Sequence, residues 1–117
     1  MDIEEFRNFC LSFRGATEDL PFDETTLVFK IKNKMFALID IDKFDYVNLK
    51  CEPQICEELR NEHDGISAGY HMNKKHWVSV MLDGSVCDRL LKELVENSYN
   101  LVVSKLTRKQ KEELNKE

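Results

Sequence analysis

The chain has 117 residues, of which 42% are hydrophobic and 33% charged, the size and balance of a single folded domain spanning residues 1–117. No apolar run approaches the ~20 residues of a membrane span, and the acidic start Met1-Asp2-Ile3-Glu4-Glu5 is neither a signal nor a transit peptide, so cytoplasmic residence is expected. The net charge of −5 falls wholly within residues 1–26, which argues against general nucleic-acid affinity and leaves room for a basic patch elsewhere.

Ile3, Phe6, Phe9, Cys10 and Phe13 recur at helical spacing, with Asp2 and Glu5 placed as a capping box and Gly15 as the stop. The stretch Ala16 to Glu24 reads as a loop in which Pro21-Phe22 turns an aromatic ring back onto the core. From Thr26 the period becomes two, predicting a strand, a turn at Asn33-Lys34, a second strand over Met35–Ile41 and a third over Asp45–Lys50. Pro53 opens a second helix carrying Ile55, Cys56 and Leu59, which breaks near Asp64-Gly65.

A short strand over Ser67–Tyr70 and a stronger one over His76–Leu82 follow. Ser85 with Asp88 is placed to cap a long helix through Ser104, and Thr107 with Gln110 a final charged one. The order predicts an α+β fold in two layers, a mostly antiparallel sheet of about five strands with helices on one face.

Strand alternation divides the side chains between two faces. Phe29, Ile31, Phe36, Leu38, Val47, Leu49, Val78, Val80 and Leu82 form the expected inner set. Lys30, Lys32, Met35, Ala37, Ile39, Tyr46, Asn48, Lys50, Trp77, Ser79 and Met81 form the outer one. That outer list mixes cations, aromatics and aliphatics, the pattern either of a face that receives a ligand or of one that terminal segments cover while its lysines reach out to solvent. Lysines neutralise phosphates, and Trp77 and Tyr46 offer surfaces for bases or for a protein partner.

The four cysteines, Cys10, Cys51, Cys56 and Cys87, form no C-x-x-C pair and are expected to remain thiols. Asp2, Glu4, Glu5, Glu18 and Asp19 are read as a solvated acidic surface around a helix start, with no metal or other cofactor assigned. No glycine-rich phosphate loop, H-E-x-x-H or G-x-S-x-G motif is present, so no catalytic residue is named; His71 and Asp83 are read chiefly as loop-shaping groups.

The most distinctive stretch runs Gly69-Tyr70-His71-Met72-Asn73-Lys74-Lys75-His76-Trp77 and on through Leu82-Asp83-Gly84. Here the chain resembles the MmcQ/YjbR family, whose members carry a similar G-Y-H-M-N-K-x-H-W segment followed by a strand and L-D-G. Arg14-Gly15-Ala16-Thr17, Leu49-Lys50-Cys51-Glu52-Pro53-Gln54, Ser98-Tyr99 and Leu101-Val102-Val103 match further family features. Arg14 stands in place of the usual proline, and Ser67-Ala68-Gly69 replaces a proline-glycine approach.

The resemblance implies a secretion-chaperone-like α+β fold and DNA binding by a double-wing pair of β-hairpins. Carried onto this chain, Lys30, Lys32 and Lys34 form one wing and Asn73, Lys74, Lys75 and His76 the other, and Lys50 and Trp77 are counted in the same binding set. A protein-binding, chaperone-like adaptor working through the outer face is the alternative.

Overall fold

The computed structural model describes residues 1–117. In chain order the elements are α1 (Ile3–Leu11), β1 (Ala16–Asp19), β2 (Thr26–Ile31), β3 (Lys34–Asp40), β4 (Tyr46–Lys50), α2 (Pro53–Glu62), β5 (Ile66–Ala68), β6 (Trp77–Met81), α3 (Asp88–Ser104) and α4 (Arg108–Asn115). The strands form one six-stranded sheet in the order β1-β2-β3-β4-β6-β5, every neighbouring pair antiparallel. No helix is long and apolar enough to cross a membrane.

The α+β expectation holds, with one strand more than predicted. Ala16–Asp19, expected as loop, pairs along β2 from Ala16↔Ile31 to Asp19↔Val28. It is an edge strand of four residues, short and half acidic, so it carries neither the β-branched run nor the alternation that marks a buried strand. Phe22 does not turn back onto the core but stands 64% exposed.

The helices pack on one face. Phe6 and Cys10 from α1, Cys56 and Leu59 from α2, Leu91, Leu94, Val95 and Val102 from α3 and Leu114 from α4 bury against Phe29, Ile31, Val47, Leu49, Val78 and Val80 of the sheet. Aromatic rings fill the centre, with Phe36 edge-on to Tyr99 at 5.4 Å and Phe13 stacked on Tyr99 at 4.8 Å. The capping boxes of α1 (Asp2 with Glu5) and α4 (Thr107 with Gln110) are both formed. That of α3 is not: Cys87 occupies the cap position, and Ser85 is held instead by the Asp83 carboxylate, which accepts from its amide and hydroxyl.

A β-bulge overturns part of the expected division between faces. Phe29 pairs with Ala37 and Lys30 with Met35, which leaves Phe36 as an extra residue without a partner on β2. Phe36 and Ala37 therefore both point to the helices, Ile39 follows them inward, and Leu38 turns outward against Val28 and Trp77. Ala37 and Ile39 thus leave the outer set and Leu38 joins it, because a bulge shifts the two-residue period by one.

The expectation of four thiols also fails. Cys51 and Cys56 form a disulfide with Cα atoms 5.7 Å apart, bridging the approach to α2 and its first turn. Cys10 and Cys87 are free, the first buried and the second exposed.

Candidate functional site

The β2–β3 hairpin turns on Lys32-Asn33, one residue earlier than predicted, with φ of 47° and 65°. Positive φ at both central residues is the mark of a tight primed turn, whose twist matches the flanking strands. The pairing Lys50↔Trp77 sets the end of β4 beside the start of β6, so the loop 69–76 leaves the sheet at the same end as this hairpin. Two strand spacings of ~4.8 Å separate β3 from β6, with β4 between them.

The lysines expected along this end fall into two groups. Lys30 lies on the outer face and pairs with Asp19 of the neighbouring strand at 3.6 Å. Lys32 reaches the last helix, with Glu113 at 3.4 Å and Glu117 at 3.6 Å. Lys34, Lys50, Lys74 and Lys75 take part in no ion pair. The ammonium of Lys50 lies 6.0 Å from the centre of the Trp77 ring.

The second loop is held by main-chain bonds. The Asn73 side chain accepts from the Lys75 amide at 2.9 Å, and its carbonyl from the His76 amide at 3.2 Å. The Cys51 amide donates to the His76 carbonyl and the Arg60 guanidinium to the Lys74 carbonyl, so the start and end of α2 both brace the loop. Lys74, Lys75 and His76 consequently project from a fixed backbone with exposed side chains. Trp77 does not: it is 7% exposed and packs on Val28 and Leu38.

Two cations at this end escaped sequence reasoning. Lys105, just past α3, lines a groove of about 410 Å³ with Lys50, Glu52, Asn73, His76 and Trp77, and Arg60 of α2 bonds the Lys74 carbonyl at 3.3 Å. Each lies at the end of a helix, far in sequence from the lysine-rich segment, and no local spacing connects them.

Elsewhere the outer face is partly roofed. The Ser79 hydroxyl donates to the Asn48 side-chain carbonyl and accepts from the Tyr70 amide at 2.9 Å, while the Asn48 amide group donates to the Tyr70 carbonyl at 3.0 Å. Residues 70–72 are thereby tied across β4 and β6, and His71 is held at a φ of 59°. Between this segment and the β1–β2 loop lies a cleft of about 390 Å³, with Leu38, Tyr46 and Asn48 among its lining residues.

The acidic residues near the N-terminus have local partners. Asp2 caps α1, Glu18 pairs with Arg7, and Asp19 pairs with Lys30. No three His, Cys, Asp or Glu side chains converge as metal ligands do. Ser85 bonds hold the Asp83 carboxyl below the usual carboxylate range. Burial pushes the Cys10 thiol far above its ordinary value.

The YjbR family model matches residues 11–101. The chain is 33% identical to the YjbR protein of Escherichia coli K12 over 107 residues, 91% of each chain. It is 40% identical over 92 residues to YbdF of Escherichia coli O157:H7, covering 76% of this chain and 74% of that one. Among solved structures, the Deinococcus radiodurans protein DR2400 superposes with a TM-score of 0.90 at 43% identity, covering 97% of this chain and 87% of the other. A Pseudomonas syringae protein superposes at 0.72 with 28% identity, covering 86% of this chain and 98% of its own. With the matched model spanning all six strands, α2 and most of α3, this chain belongs to the YjbR family.

Proposed function

We propose that this chain binds nucleic acid by neutralising phosphates at the end of the sheet where Lys34, Lys50, Lys74 and Lys75 converge. One observation carries the reading. Cations from three separate segments gather at that end with no carboxylate partner, whereas Lys30 and Lys32 are each neutralised within the protein. Unpaired like charges repel one another, and a polyanion relieves that repulsion.

Arg60 and Lys105 extend the cationic edge, and His76 and the Asn73 amide group supply hydrogen-bond donors beside it. Trp77 holds the end of the sheet in place and is too buried to stack on a base. The double-wing form of the reading is correspondingly narrower, with Lys34 the one free lysine of the first hairpin. Contacts of this kind position the protein without specifying a base sequence. Organisation as one domain and residence in the cytoplasm belong to the same proposal.

The adaptor reading is less well supported, because residues 70–72 occupy part of the face it requires. Fluorescence anisotropy with labelled duplex and single-stranded DNA over a range of salt concentrations tests the proposal. Affinity is expected to fall linearly on a log–log plot, with Lys34→Ala, Lys74→Ala and Lys75→Ala each lowering the slope by about one. Lys30→Ala and Lys32→Ala are expected to leave the slope unchanged. Binding that ignores salt, or that responds equally to all five substitutions, defeats the proposal.

A further inference from the structure

The cleft on the outer face runs along β3 from Met35, beside the cationic edge, to Asp40 at the other end, and its charged lining is of the opposite sign. Phe22, in the loop before β2, stands 64% exposed on one side, and Tyr70, in the loop before β6, 55% exposed on the other. Leu38 and Asn48 lie on the strands between them, and the Tyr46 ring sits 5.3 Å from that of Tyr70 at a tilt of 37°. The volume of about 390 Å³ falls within the ordinary range of small-ligand sites.

The charged groups lining this space are Asp23 and Asp40, and His71 is its one basic residue; no lysine or arginine reaches it. Neither carboxylate has a cationic partner. Asp23 accepts from the amides of Thr25 and Thr26, and Asp40 from those of Asp42 and Lys43. These bonds fix both side chains, and the Thr26 and Thr25 amides hold the Asp23 carboxyl below the usual carboxylate range. The pairing Thr26↔Asp40 sets the two acids at the same end of the β2–β3 pair, the end away from the Lys32-Asn33 turn.

We propose that this cleft binds a small organic cation, an ammonium or guanidinium group carried on an apolar body about the size of an aromatic ring. The apolar body fills the space between Phe22 and Tyr70 over Leu38. The cationic head faces Asp23 and Asp40 and the electron-rich face of Tyr46. Charge complementarity decides the class: an anion meets two carboxylates, and a neutral molecule of the same shape gains nothing from them. The site is independent of nucleic-acid binding.

The test is an NMR amide-shift titration of the full chain with phenethylamine, its neutral isostere 2-phenylethanol, and the anion phenylacetate. Phenethylamine is expected to move the amides of residues 23–26, 46–48 and 70–72 and to bind about fivefold to tenfold tighter than the alcohol. Phenylacetate is expected to move none of them. Asp40→Asn keeps an oxygen for the Asp42 and Lys43 amides, so it should fold normally and bind the amine no better than the alcohol. Tyr70→Ala, at an exposed position, should weaken the amine as well. Equal affinity for amine and alcohol, shifts with phenylacetate at these residues, or no shift up to about 10 mM amine overturns the proposal.

Discussion

Ser98 of α3 supplies to Phe36 the hydrogen bond that the sheet does not. Its hydroxyl donates to the Phe36 carbonyl at 2.6 Å and accepts from the Lys50 amide at 2.9 Å, standing between β3 and β4 just beyond their Ala37↔Leu49 pair. The bulge that turns Phe36 inward is thus completed by a helix side chain that is itself fully buried.

Replacing Ser98 with alanine removes the partner of two main-chain groups in a site closed to water. A buried donor or acceptor left unpaired costs about 1–3 kcal/mol, so Ser98→Ala is expected to destabilise strongly for so small a change. Ser104→Ala, which removes an exposed hydroxyl bonded to its own helix, is the control and should lie within about 0.5 kcal/mol of the parent. Urea denaturation of both variants measures the difference. Equal midpoints mean that water or a shifted backbone takes the place of the hydroxyl.

Thiol chemistry separates the cysteines. In denaturant without reductant, a thiol reagent should find two reactive groups, Cys10 and Cys87, and after reduction all four. In the native protein only Cys87 should react, because Cys10 is buried and its thiol is pushed far above the ordinary range, away from the reactive thiolate. Closing the short loop between Cys51 and Cys56 restricts the unfolded chain, and the double variant Cys51→Ser/Cys56→Ser should lose about 2 kcal/mol. Four reactive thiols in unreduced, denatured protein would refute the pairing.

These two features show where sequence reasoning stops. Helices were legible because their signals are local: Asp2 with Glu5 and Thr107 with Gln110 are capping residues three apart, and apolar spacing marks the buried faces of α1 and α3. Ser85 misled because it has the right spacing before Asp88, yet the Asp83-Gly84-Ser85 turn consumes its hydroxyl. The bulge at Phe36 left no local mark, since Met35 to Ile39 are all apolar and either parity reads equally well. The lysines at 30, 32 and 34 look equivalent in sequence, and only the fold brings Asp19 to the first and Glu113 and Glu117 to the second.

Stability should fall away at both ends of the pH scale. The Glu5 amide holds Asp2 below the usual carboxylate range, the Arg7 guanidinium does so for Glu18, and the Thr26 and Thr25 amides for Asp23. A carboxylate depressed on folding stabilises above its unfolded value and loses that contribution as pH falls through the folded one, so the acid limb should begin below about pH 4. Tyr46 and Tyr99 are shifted upward, chiefly by burial, and their contribution is lost above the ordinary phenol range near about pH 10. Thermal melts across this span should show a plateau between the two limbs. Asp23→Asn should flatten the acid limb, and an unchanged limb would remove Asp23 from its causes.

The roof over the outer face depends on one buried pair. Asn48 and Ser79 lie opposite each other in the β4–β6 register, and between them they satisfy both the amide and the carbonyl of Tyr70. Ser79→Ala leaves the Tyr70 amide without its acceptor and the Asn48 side-chain oxygen without its donor. The loss should be local first: residues 70–72 lie outside any strand and are anchored on this face by few other bonds, so they open before the sheet does. Hydrogen exchange reads this directly. The Tyr70 amide should lose most of its protection in the variant, while Val47 and Val80 in the strands should lose only what the fall in global stability demands, about 1–3 kcal/mol. Proportional loss at all three amides would mean that the segment and the sheet open as one unit, and that Asn48 and Ser79 stabilise the whole fold rather than the position of the loop.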